Sequence, residues 1–160
     1  MSSVALRDIR ESDVDRVFDW VSKPWYVDEF AGSAMPTPDA HKTYFESILG
    51  GGVCFLAVEF EGVHVGNAGV KNINNGEGEI WYYIGDESWR GKGIATILVA
   101  ELIEYSRSIF DLKALSARVL ESNVGSRRVL EKNGFRLAYD NFGFYKGTLM
   151  LKYERVVQSG

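Results

Sequence analysis

VALRDIR, from Val4 to Arg10, alternates apolar and polar positions as a half-buried strand does. Val14, Val17, Phe18 and Val21 then fall at i, i+3, i+4 and i+7, which predicts a helix opened by Ser12 and Asp15 as a capping box. Pro24, Pro36 and Pro38 bracket an irregular loop, KPWYVDEFAGSAMP, ahead of a short helix at Asp39 to Leu49. Three apolar runs follow, Val53 to Phe60, His64 to Ile73 and Glu79 to Ile84. Glu61-Gly62 and Asn74-Asn75-Gly76 separate them as hairpin signals, so the runs predict an antiparallel meander.

The segment GEIWYYIGD leads through WRGKGIAT into a long helix, Ile94 to Phe110. Its apolar stripe runs through Ile94, Ile97, Leu98, Leu102, Tyr105 and Ile109. Leu112 to Leu120 reads as a strand, and Val124 to Lys132 as a helix with Asn123 at its N-cap. Phe135 to Tyr139 and Phe144 to Tyr153 close the chain as a strand pair. The predicted order is β-α-α-β-β-β-α-β-α-β-β, about seven strands and four helices in the α/β (α+β) class. Such an order makes a mixed, mostly antiparallel sheet with one βαβ-like crossover, and a ligand pocket belongs at that crossover.

Composition narrows the partners. The chain of 160 residues suits one domain, 1–160, with a single core. A net charge of −4 without a block of like charges argues against nucleic acid. No apolar stretch is long enough to span a membrane, and MSSVALRDIRES lacks an apolar signal core, so the cytoplasm is the expected location. Cys54 is the only cysteine and lies inside VCFLAVEF, where a small buried hydrophobe is expected. His41 and His64 are far apart in sequence, and no metal site is expected. A homodimer is left open.

Chemistry concentrates in WRGKGIAT. Gly91 and Gly93 remove side-chain bulk where the backbone turns sharply ahead of a helix. A helix N-terminus presents unpaired N–H groups that suit a phosphate, with Arg90 and Lys92 beside it as cations. The plain alternative is a strand-to-helix turn with two solvated cations. There is no GxxxxGK[ST] and no GxGxxG with an acidic residue downstream, which excludes two common nucleotide loops.

What stands there is Arg-x-x-Gly-x-Ala, as Arg90, Gly93 and Ala95, followed later by NVGSRRVLEKNGF with Asn123, Ser126, Lys132, Gly134 and Phe135. The pair of motifs, in this order, resembles the GCN5-related N-acetyltransferases, and the predicted element order is similar to theirs over essentially the whole chain. The pattern is nearest to the branch acting on ribosomal-protein alanines and nucleotide-linked amino sugars. The resemblance implies acetyl-CoA as co-substrate, its pyrophosphate over Arg90, Gly91, Lys92, Gly93, Ile94, Ala95 and Thr96, with Asn123 and Ser126 on the same side. It further implies that the pantetheine arm runs along the strand end at Trp81 to Ile84. The thioester carbonyl would then meet a backbone N–H near Tyr83 or Ile84, placed to stabilise an oxyanion.

The implied reaction is direct transfer of an acetyl group to a primary amine, which must first lose a proton. Glu79 is the candidate acceptor, sharing a strand face with Trp81 and Tyr83. A solvated strand-edge glutamate is its plain alternative. Where many relatives carry a tyrosine as general acid this chain has Leu130, so Ser126 is the candidate donor to the departing thiolate, with Tyr145, Tyr82 and Tyr83 in reserve. Trp25, Tyr26, Glu29 and Trp81 suit an amine or a sugar ring. His41-Lys42-Thr43-Tyr44-Phe45 resembles the His-x-x-aromatic-Phe of enzymes acting on nucleotide-linked amino sugars. A small-molecule or peptide amine is therefore the expected partner, with a nucleotide-linked amino sugar or a protein N-terminus leading, and polyamines and aminoglycosides open. A non-catalytic acyl-CoA-binding module or sensor on the same scaffold is the alternative of a different class.

Overall fold

Glu61 and Gly62 both take left-handed backbone angles, φ 52° and 82°, and so do Asn75 and Gly76, at 52° and 77°. Two successive residues with positive φ match the twist of flanking strands, so each pair folds a tight hairpin. These turns build the expected meander. The computed structural model describes residues 3–29, 37–145 and 147–158. Its elements are β1 (Val4–Asp8), α1 (Val14–Val21), α2 (Pro24–Glu29), α3 (Pro38–Leu49), β2 (Cys54–Phe60), β3 (Val63–Asn74), β4 (Glu77–Ile84), α4 (Ile94–Phe110), β5 (Ala114–Leu120), α5 (Val124–Lys132), β6 (Arg136–Tyr139), β7 (Phe144–Tyr145) and β8 (Thr148–Val156).

The sheet runs β1-β2-β3-β4-β5-β8-β6, with β7 paired to β8. Every pairing is antiparallel except β4 with β5, which α4 connects as a crossover. One core lies between the sheet and α4 and α5, and includes Leu56, Val58, Ile80, Leu98, Leu102, Leu130 and Tyr153. A smaller cluster under α1 and α3 joins Ile9, Val17, Phe45, Ile48 and Ala57. Neighbours on β2 thus point to opposite clusters, as strand alternation requires. Each fully buried Leu or Ile stabilises the fold by about 2 kcal/mol.

Four details differ from the sequence reading. Pro24–Glu29 is helical rather than irregular, which proline at a first helical turn permits; Phe30 and Pro36 of the expected loop lie outside the described residues. The turn before α1 is closed by Asp13, not by Ser12 and Asp15: its Oδ2 accepts from the Arg10 backbone N–H at 2.8 Å. The closing strand is interrupted at Gly147, φ 81°, into β7 and β8. On α4, Ile97 and Ile109 are exposed and the buried stripe is Ile94, Leu98, Val99, Leu102, Ile103 and Ser106. This helix is apolar on most of its circumference, so contacts with the sheet, not periodicity, choose its inward face.

Candidate active site

β4 and β5 pair only at Glu77 with Ala114, Gly78 with Leu115 and Glu79 with Ser116. β4 continues to Ile84 and β5 to Leu120 without further mutual pairing. The strands part, and a cavity of about 1480 Å³ opens there, reaching the glycine loop and α5 on one side and α2 and α3 on the other.

The loop is shaped for close approach. Gly91 and Gly93 have φ of 74° and 77°, and a side-chain carbon built on either meets nothing within 4 Å. Their requirement is therefore conformational, and the protein leaves the space above them clear. No side chain caps the start of α4, whose first bond runs from Ile97 N–H to the Gly93 carbonyl. Arg90, Gly91, Gly93, Ile94, Ala95 and Thr96 all line the cavity, and Lys92 is exposed on the loop. This arrangement fits a pyrophosphate on backbone N–H groups. The Arg90 guanidinium is otherwise engaged: it donates to the Ile84 carbonyl at 3.1 Å and lies 4.1 Å from the Trp25 ring centre. Trp25 is thus packed beneath Arg90 rather than lining the cavity.

On the α5 side, Asn123 Oδ1 caps the helix by accepting from Ser126 N–H at 3.1 Å. The Ser126 hydroxyl is 2.7 Å from the Tyr82 hydroxyl of β4, and both residues line the cavity. Burial pushes the Tyr82 phenol up to about 12, with the Ser126 bond opposing. Leu130 is 1% exposed and belongs to the core. Alternation separates the two faces of β4, so Tyr82 looks toward α5 while Tyr83 looks toward α2.

Glu79 lines the cavity, but its carboxylate is already partnered. It accepts from Arg118 at 2.9 Å and Asn72 at 3.1 Å, and Lys71 lies 3.7 Å away. Asp8 and Glu29 are the other carboxylates of the lining; the carboxyl of Glu29, on α2, is raised above its ordinary value because surrounding protein displaces water, with Arg90 opposing. Near it stand Tyr26 and Tyr83, ring centres 5.2 Å apart, then Trp81 stacked at 6.1 Å on Tyr83 and 4.9 Å from Phe55. Tyr44, the aromatic of the motif that begins at His41, belongs to the lining, as do Phe55 and Arg118, which carried no signal in the sequence.

Besides Trp25 and Lys92, the predicted residues His41 and Tyr145 stand outside the lining. His41 is 6% exposed between α1 and α3, its Nε2 donating to the Val14 carbonyl at 3.3 Å, and it does not line the cavity. Its neighbouring Phe45 serves the same small core. Tyr145 also stands outside the lining, its hydroxyl donating to the Val27 carbonyl at 3.2 Å. Trp20 is buried against Gly85, where any added side-chain carbon would strike the indole at 2.0 Å. Among the described residues, no helix is long and apolar enough to cross a membrane.

Solved structures share this architecture. Spermidine N-acetyltransferase from Vibrio cholerae, in complex with CoA and spermine, matches with a TM-score of 0.86 at 17% identity, over 96% of this chain and 95% of that one. RimJ from Mycobacterium smegmatis, in complex with CoA-disulfide, matches at 0.80 and 21%, over 96% and 81%. Aminoglycoside acetyltransferase AAC(6')-Ib, in complex with coenzyme A, matches at 0.78 and 22%, over 96% and 94%. No curated protein sequence matches the chain. The acetyltransferase (GNAT) domain family matches residues 3–136, so this chain, with its split strands and open glycine loop, belongs to the GNAT acetyltransferases and is an acetyl-CoA-dependent N-acetyltransferase.

Proposed function

We propose that the acceptor is a small organic molecule carrying primary ammonium groups, of the polyamine or aminoglycoside kind. The observation that carries this reading is the composition of the α2 side of the cavity: Tyr26, Tyr83, Trp81 and Phe55 form a continuous aromatic wall beside the Glu29 carboxylate. Aromatic faces attract ammonium groups, and the exposed Glu29 carboxylate beside them adds a charge of opposite sign. The structures of the spermidine and aminoglycoside acetyltransferases, by their names, act on such amines and share the fold. The nucleotide-linked amino sugar rested on His41, which faces the core between α1 and α3. A protein N-terminus is the rival acceptor.

Acetyl-CoA brings an activated acetyl group to the opening between β4 and β5. Backbone N–H groups of the loop from Arg90 to Thr96 hold its pyrophosphate in this reading, and Asn123 shapes the start of α5 beside it. An alkylammonium ionises near ~10.4 and must lose a proton to attack. Glu29 takes that proton, directly or through water, since a raised carboxyl is better matched to the task than an ordinary one. Glu79, held by Arg118 and Asn72, is the competing acceptor.

The test is an acceptor screen with acetyl-CoA and a free-thiol readout, covering spermidine, kanamycin, a nucleotide-linked amino sugar and peptides with free N-termini. Turnover of spermidine or kanamycin well above the other classes is expected. Turnover confined to peptides or to the nucleotide-linked sugar would replace the proposed acceptor.

A further inference from the structure

α2, which carries Tyr26 and Glu29, is held to the molecule through the glycine loop. It is six residues long and buries none of its side chains completely, so little apolar packing fixes where it sits. Trp25 is its anchor. The Trp25 ring centre lies 4.1 Å from the Arg90 guanidinium carbon, 5.9 Å from the Tyr26 ring and 6.1 Å from the Tyr83 ring. Its indole N–H is buried and meets no acceptor, the one such side-chain atom among the described residues. The indole is therefore gripped by ring contacts alone, and its unmet N–H works against the docked position. A second tie is the Tyr145 hydroxyl, which donates to the Val27 carbonyl at 3.2 Å.

Arg90 is placed to hold that ring. Its Nε and Nη2 both donate to the Ile84 carbonyl at the end of β4, at 3.4 and 3.1 Å, which fixes the plane of the guanidinium. A planar cation held this way offers its face to an indole, the aromatic ring that attracts cations most strongly. The backbone of the same residue opens the glycine loop, just before Gly91. Trp25 and Glu29 are four residues apart and share one face of α2. The face resting on Arg90 thus carries the Glu29 carboxylate, and Arg90 opposes the rise that burial gives that carboxyl. Tyr26 and Glu29 line the cavity, whereas Trp25 does not.

We propose that Arg90 and Trp25 clamp α2 onto the glycine loop as positioning residues, so that CoA on the loop and an amine beside Tyr26 and Glu29 each strengthen the binding of the other. A pyrophosphate on the loop N–H groups restrains the backbone of Arg90. A helix resting on a restrained residue has less freedom left to lose when the amine binds. Such coupling is reciprocal: the factor by which CoA tightens the amine equals the factor by which the amine tightens CoA. Its amine arm alone rests on the proposed acceptor side.

Amide hydrogen exchange of the intact protein is read first, with and without CoA, which carries no acetyl group to transfer. CoA is expected to slow exchange of the amides from Tyr26 to Glu29 roughly threefold or more in wild type. Trp25→Leu keeps apolar bulk without a ring and is expected to lose that protection, while Trp25→Phe keeps a ring face and retains part of it. α3, packed through Phe45 and Ile48 into its own small core, should exchange alike in all three proteins. An α2 indifferent to CoA in wild type, or equally protected in Trp25→Leu, overturns the clamp.

CoA affinity is then titrated with and without saturating spermidine or kanamycin. Either amine is expected to tighten CoA roughly tenfold in wild type and not at all in Trp25→Leu, whose CoA affinity without amine stays at the wild-type value. Arg90→Gln keeps a donor to the Ile84 carbonyl but removes the charge over the ring, and should lose the same coupling. Combined with Trp25→Leu it should remove no more coupling than either change alone, since both break one contact. Coupling that survives in Trp25→Leu overturns the proposal, and so do amines that are turned over yet leave wild-type CoA affinity unchanged. Equal loss of CoA affinity with and without amine marks a merely structural role. Should the wild-type protein turn over neither amine, the acceptor class fails, while exchange of α2 still decides the clamp.

Discussion

The Tyr82 hydroxyl on β4 and the Ser126 hydroxyl on α5 lie 2.7 Å apart across the opening where β4 and β5 separate. They join the two walls of the cavity one turn before Leu130 of α5, an apolar side chain that belongs to the core and borders the lining. Ser126 alone is a feeble acid, and Tyr82 gives its hydroxyl a partner that fixes its direction. If this pair supports thiolate departure, Ser126→Ala and Tyr82→Phe should slow turnover most with poor thiol leaving groups and spare activated thioesters. Acetyl-CoA affinity in either variant should change by less than about 1.5 kcal/mol, the upper end for one ordinary hydrogen bond. Equal loss across leaving groups would reassign the pair to cofactor binding.

Gly93→Val tests the loop. The residue at φ 77° tolerates a β-branched side chain poorly, and the added carbons project into space that no protein atom occupies. Acetyl-CoA affinity should fall by more than ~1.4 kcal/mol, a tenfold change, as read by calorimetric titration. Unaltered affinity in a folded variant would place the pyrophosphate elsewhere.

Glu29 and Glu79 make opposite demands on the pH–rate profile. Glu29→Gln should lower kcat by roughly 10²-fold and remove the acid limb, because its raised carboxyl titrates above the ordinary range. Glu79→Gln should cost less turnover and show instead in thermal stability, since it leaves Arg118 without its carboxylate partner. The reverse ranking would return the role of proton acceptor to Glu79.

Stability should fall in acid in two stages. His64, facing Asp13, Arg7, Arg16 and Asn67, is held neutral by burial, its folded value lying below 6.5. The unfolded chain therefore binds its proton first, and stability drops as pH falls below about 6.5. Burial alone would raise the Asp13 carboxyl, but bonds from Arg7 and the Arg10 N–H prevail and bring it down to about 2. Its contribution, up to about 2 kcal/mol, is complete above ~4 and disappears as pH approaches 2. Urea unfolding of wild type and Asp13→Asn across this range should show the lower stage only in wild type.

Much of the fold is legible in local chemistry. The helix bounds Ile94–Phe110 and Val124–Lys132, the N-cap at Asn123 and both hairpin turns follow from periodicity, capping and glycine placement, which act between residues close in the chain. The glycine loop is legible for the same reason: strand, turn and helix start are contiguous, and left-handed angles at positions 91 and 93 call for glycine.

Everything that requires two distant segments was decided by tertiary packing. His41 and Tyr145 had suitable chemistry, but α1 claims the one and α2 the other through backbone carbonyls. Glu79 was placed on the right strand, yet its partners Arg118 and Lys71 come from the two flanking strands, β5 and β3. The Tyr82–Ser126 contact spans the parted strands, and the His64–Asn67 pair exists because a bulge breaks alternation. Sequence alone determined which backbone would turn, cap and pleat, since those preferences belong to each residue and its near neighbours. Which hydroxyl meets which, and which carboxylate stays exposed to substrate, depends on side chains brought within a few ångströms from far along the chain, and only the folded sheet sets those distances.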